Sequence, residues 1–171
     1  MAATFYKIAT VTVGSGGASS INFTSIPSTY TDLCLLLSIR DDNTAGGNFQ
    51  GSAMEINADS ANQPDIYLYG TGSSVGSGAN SGQWSWMNTG VSTASVFSSV
   101  QLYFPNYTSS NYKSISIDGV TEQNGTSAIA SLKAKLWQNT SAITSIKIKS
   151  YSVSSLIVQY SSATLYGIKN S

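Results

Sequence analysis

Histidine is absent from all 171 residues. The side chain that most often serves as general base and as metal ligand is therefore missing, and no Ser-His-Asp or Cys-His arrangement can form. The single cysteine, Cys34, excludes an intramolecular disulfide, and its place in the most apolar stretch marks it as a small buried hydrophobe. Charge is scarce as well: 9% of residues are Asp, Glu, Lys or Arg, against roughly 25% in an average soluble protein. Eight basic and eight acidic residues cancel, which leaves no electrostatic footprint for nucleic acid or an anionic membrane. No apolar run approaches the roughly 20 residues of a membrane-spanning helix. The opening MAATFYKIATVTV lacks the basic segment and apolar core of a signal peptide. The sequons at Asn22, Asn106, Asn124 and Asn139 are then chance products of a chain rich in Asn, Ser and Thr, and no glycosylation is expected.

What is present is alternation. Residues 33–40 set Leu33, Leu35, Leu37 and Ile39 against Cys34, Leu36, Ser38 and Arg40, so both faces carry apolar groups and the strand belongs in the middle of a packed β structure. Further strands are predicted over 5–13, 21–23, 54–58, 66–69, 96–104, 113–122, 128–137, 143–149, 156–160 and 163–168. A glycine turn at 14–17 makes residues 6–23 a predicted first hairpin. Pro27 turns the chain into the 33–40 strand. Residues 41–51 and the Gly- and Ser-rich 70–82 read as loops, and Gln123-Asn124-Gly125 as a hairpin reversal. The segment 128–137, AIASLKAKLW, has a helical composition, but Ala128, Ala130, Leu132, Ala134 and Leu136 alternate strictly with Ile129, Ser131, Lys133, Lys135 and Trp137. Many short strands and no convincing amphipathic helix predict one all-β domain over 1–171, an antiparallel, jelly-roll-like β-sandwich. No fixed-period repeat suggests a propeller or solenoid.

Few residues are candidates for chemistry. Among the eight carboxylates, Glu55 with Glu122 or Asp118 could form a glycosidase pair if they faced one another across a cleft; surface, turn and ion-pair roles are the alternative. Asp41, Asp42 and Asn43, with Asp59 or Asp65, could ligate a cation through hard oxygens, or could make Asx turns. Trp84 and Trp86, two residues apart and on one side of a strand, could join Tyr67 and Tyr69 as an aromatic platform for sugar rings; core or subunit-interface packing is the other reading. No cofactor is expected, and the chain reads as non-enzymatic.

The segments 6–14 (YKIATVTVG), 21–33 (INFTSIPSTYTDL), 38–40 (SIR), 137–146 (WQNTSAITSI) and 158–168 (VQYSSATLYGI) resemble a family of small tailed-phage virion proteins, frequent in phages of aquatic bacteria. The resemblance implies a structural component of the particle, either a capsid decoration or cement protein or part of the tail and its fibres, and it carries over no functional residues. The implied partners are other virion proteins, the major capsid protein or tail proteins, and the implied location is the virion, after synthesis in the bacterial cytoplasm. Capsid decoration is favoured, because 171 residues starting at Met1 leave no room for a fibre shaft. Low charge near neutrality favours association, and a homo-oligomer, preferably a trimer, is expected.

Overall fold

The computed structural model describes residues 4–124 and 127–169. Among them are twelve strands and no helix: β1 (Phe5–Thr12), β2 (Ile21–Phe23), β3 (Asp32–Ile39), β4 (Phe49–Ile56), β5 (Asp65–Gly70), β6 (Val75–Ala79), β7 (Trp86–Asn88), β8 (Ser98–Phe104), β9 (Lys113–Glu122), β10 (Ala128–Trp137), β11 (Ile146–Ser150) and β12 (Ser162–Ile168). They form two antiparallel sheets in the orders β1-β12-β3-β8-β9-β10-β5-β6 and β2-β11-β4-β7. From β2 to β5 each connection changes sheet, β5 and β6 form a hairpin, and β6 to β8 changes sheet twice more. This is a β-sandwich with jelly-roll-like alternation. A β9–β10 hairpin widens the large sheet within, and β1 and β12 widen it at one side.

Period-two burial explains the layering. In β3, Leu33, Leu35, Leu37 and Ile39 are buried and meet Val100, Leu102 and Phe104 of β8, Ala163 and Leu165 of β12, and Ile146 and Ile148 from the facing sheet in one core. Cys34 is buried on the other face of β3, between its register partners Tyr103 and Tyr166, and burial raises its thiol pKa. Leu36, on that same face, is 40% exposed, so β3 is internal to its sheet but lines the core on one side only.

Several strand expectations need correction. Residues 6–23 are not a hairpin: β1 pairs with β12 and β2 with β11, because the 14–17 turn carries the chain across the sandwich. The strand expected at 54–58 begins at Phe49, inside the expected loop, and ends where Asn57 and Ala58 take positive φ. The strand expected at 143–149 starts only at Ile146, and β8 starts at Ser98. Residues 156–160 form no strand; Ile157 makes isolated bridges to Ala18 and Asp41, and Tyr160 has φ 70°. The 70–82 segment is not a loop throughout, since Val75–Ala79 is β6. Its glycines serve close approach: a Cβ at Gly76 would meet the Tyr69 ring at 2.7 Å and one at Gly78 the Tyr67 hydroxyl at 2.4 Å. Trp84 precedes β7, which begins at Trp86. The 123–125 reversal reaches Gly125, outside the described residues, but β9 and β10 pair from Glu122↔Ala128 to Lys113↔Trp137.

Candidate functional site

Two features of the β10-β5-β6 end of the large sheet stand out, one on each face. On the inner face lies a row of buried cations. Alternation along β10 puts Lys133, Lys135 and Trp137 on the core side, and all three are about 1% exposed or less. Lys113, opposite Trp137, is equally buried. Each of these lysines lies against a different tryptophan of the chain: Lys113 Nζ is 5.5 Å from the Trp137 ring centroid, Lys133 Nζ 4.4 Å from Trp86, and Lys135 Nζ 5.2 Å from Trp84. Ring quadrupoles attract the ammonium groups there, and desolvation strengthens that attraction.

Hydrogen bonds complete each lysine. Lys135 Nζ pairs with Asp65 Oδ2 at 2.8 Å, with both side chains fully buried. Burial by itself would raise the Asp65 carboxyl, but the bonds from Lys135 and from the Ser81 backbone and hydroxyl outweigh it and hold the group below its ordinary value. Lys113 Nζ donates to the carbonyls of Ser109 and Ser141 at 2.7 Å each, and burial lowers its pKa. Lys133 Nζ donates to Ser81 Oγ and the Gln83 carbonyl at 3.2 Å, and desolvation pulls its pKa down to about 8.

The structure brings together three of the four candidate aromatic residues. Tyr67, Tyr69 and Trp86 meet with centroids 5.5 to 6.2 Å apart, and Lys133 lies over both Tyr67 and Trp86. They are partly buried and already in contact with one another. Trp84 stands apart, 1% exposed, its indole N–H donated to Gln63 Oε1 at 3.1 Å.

The carboxylate candidates are dispersed. Glu55 points out from β4 and pairs with Lys149 at 2.6 Å and Lys147 at 3.3 Å. Asp118 and Glu122 point out from β9 in the other sheet, so Glu55 does not face them across a cleft. Asp41 is fully buried; its oxygens accept from Ser150 Oγ and the Asn43 N–H, and burial raises its pKa despite those bonds. Asp42 accepts from the Leu156 N–H. Asp59 accepts the Trp137 indole N–H, and Asp65 is committed to Lys135. Among the described residues no three His, Cys, Asp or Glu side chains cluster as a metal site would require. Arg40 donates to the carbonyls of Ser92, Thr93 and Val96 at 2.6 to 3.1 Å, tying the end of β3 to the segment before β8.

The outer face was not singled out by sequence. Register places three rows side by side across β9, β10, β5 and β6: Val120, Ala130, Gly70, Val75; Asp118, Leu132, Leu68, Ser77; and Ser116, Ala134, Ile66, Ala79. Val75 is 90% exposed, Ile66 66%, Leu68 57% and Leu132 55%. Toward β8 the face turns polar with Ser99 and Gln101. An apolar patch spanning adjacent strands is the mark of an interaction surface rather than of isolated exposed side chains. Polarity alone would turn the Ala/Leu row of β10 inward and its lysines outward. The reverse holds: the lysine row, which also carries Trp137, faces the core, where Trp84 and Trp86 meet Lys135 and Lys133. No model of a known protein family and no curated protein matches this chain.

Proposed function

We propose that the chain is a non-enzymatic structural protein of a bacteriophage particle, a capsid decoration or cement protein that seats its apolar β10-β5-β6 face on the shell. The carrying observation is that face: three uncharged or nearly uncharged rows of exposed Leu, Ile, Val and Ala beside a sheet edge, in a chain with 9% charged residues. The resemblance of segments 6–14, 21–33 and 158–168 to small tailed-phage virion proteins supports a phage particle as the assembly. The interior fits a passive, durable role, because the buried ammonium groups and rings satisfy one another and the buried carboxylates Asp32, Asp41 and Asp65 are each engaged in hydrogen bonds or an ion pair. A tail component is the other place in the same particle.

Co-sedimentation tests this reading. Purified chain added to particles lacking it should pellet with them, and Leu132→Asp with Leu68→Asp, both at exposed positions, should abolish pelleting without changing the circular dichroism spectrum. Wild-type chain that stays in the supernatant, or a double variant that pellets like wild type, would reject docking by this face.

A further inference from the structure

We infer that β6 is a self-pairing edge through which two copies of this chain join, strand to strand, about a two-fold axis at Ser77. The sandwich has four sheet edges, and three are blunted. Strands β2 and β7 are three residues long, and β1 carries Lys7 and a register shift between Lys7 and Ala9. Short strands, lysines and bulges are the usual guards against edge-to-edge pairing. Strand β6, VGSGA, has none of them.

Its backbone is directed outward in regular order. The Asn80 N–H donates to the Asp65 carbonyl and the Thr71 N–H to the Ser74 carbonyl, both in register with Tyr67↔Gly78 and Tyr69↔Gly76. Antiparallel strands alternate between residues that bond one neighbour and residues that bond the other. Gly76 and Gly78 therefore bond β5, and Val75, Ser77 and Ala79 direct their N–H and C=O groups to the open side. This is the row of donors and acceptors that β-augmentation uses.

The strand's composition selects a second copy as occupant. Read antiparallel against itself about Ser77, VGSGA places Ser77 opposite Ser77, Gly76 opposite Gly78, and Val75 opposite Ala79. Self-complementarity of this kind is what a two-fold interface requires. The three outward-bonding residues all fall opposite one another, so each pair can exchange two hydrogen bonds. Their side chains lie on the outer face, where Val75 would pack against Ala79 of the second copy and the apolar rows of both copies would run together. The nearest outward carboxylate in these rows, Asp118, lies three strands in, about 14 Å from β6 at ordinary strand spacing, so like charges do not oppose one another. Five paired residues bury less than the roughly 1,600 Å² of a standard interface, so the dimer should be concentration-dependent.

Sedimentation velocity over a concentration series, combined with cysteine cross-linking, tests this. Cys34 is buried, so a cysteine introduced at an exposed site reports on that site alone. Wild-type chain should pass from monomer to dimer, and Ser77→Lys, which puts two ammonium groups across the axis, should remain monomeric with unchanged circular dichroism. Mild oxidation should convert Ser77→Cys to a covalent dimer and leave Ser99→Cys, on the same face but inside the sheet, uncross-linked. A wild-type chain that stays monomeric throughout overturns the inference. So does a dimer or trimer that Ser77→Lys leaves intact, or a Ser77→Cys chain no more cross-linked than Ser99→Cys. The dimer forms off the particle, so failure of the virion reading would leave it standing, and its absence would leave docking by the apolar face untouched.

Discussion

The Lys133 ammonium lies 4.4 Å from the centroid of the Trp86 ring and 4.7 Å from that of Tyr67, inside a sandwich built by a chain with only eight basic residues. Its two hydrogen-bond acceptors, Ser81 Oγ and the Gln83 carbonyl, are neutral; the carboxylate of the neighbourhood, Asp65, is held by Lys135. Lys133 is thus a buried cation held by rings and neutral acceptors, with no carboxylate among the described residues bonded to it.

Replacing it should therefore be benign at neutral pH. Lys133→Met keeps the stem and removes the desolvated charge, so we expect it to be neutral or stabilising by up to ~3 kcal/mol at pH 7. The folded pKa of about 8 lies below the ordinary 10.5, so between these values the unfolded chain holds a proton that the folded chain has released. The Lys133 contribution to stability accordingly rises with pH across that window. The advantage of Lys133→Met should shrink from pH 7 to pH 10 by on the order of 1–3 kcal/mol, measured by chemical denaturation of both chains.

The opposite sign is expected at Tyr103. Its hydroxyl donates to Asp32 at 2.6 Å, and that carboxylate, with burial, pushes its pKa up to about 12. Above pH 10 the unfolded chain loses this proton first, so stability falls from pH 10 to 12, and Tyr103→Phe should flatten that fall in the same denaturation series.

Lys135 and Asp65 behave as a unit. Asp65→Ala leaves the Lys135 ammonium buried without its counter-ion and should cost about 3–5 kcal/mol. The double change Asp65→Leu with Lys135→Leu should cost less than Asp65→Ala, because no charge is stranded. Thermal melts of the three chains decide this.

Gly78 should tolerate no side chain. A Cβ there would press on a Tyr67 ring already held by Trp86, so Gly78→Ala should destabilise by about 1–3 kcal/mol, whereas Gly47→Ala, with open space around it, should be near neutral.

These expectations show how far the sequence could be read. Strict alternation placed β3, β9 and β10 within a residue of their observed bounds, since each strand's burial follows its own period. Alternation does not say which row faces in. On β10 the lysines take the core because tryptophans from distant segments, 84 and 86, come to meet them. Strand β6 was hidden because its glycines mimic a loop, and only the Tyr67 and Tyr69 rings across the hairpin show why they are there. The apolar outer face follows from pairing β10 with β5 and β5 with β6, a relationship between segments more than fifty residues apart in the first case.

The most direct measurement is a reconstruction of intact phage particles from the culture that produces the chain. The account predicts density for the β-sandwich on the capsid exterior, with Leu132, Leu68 and Ile66 covered by shell protein. Particles without the chain, or a bound chain whose β10-β5-β6 face is open to solvent, would contradict it.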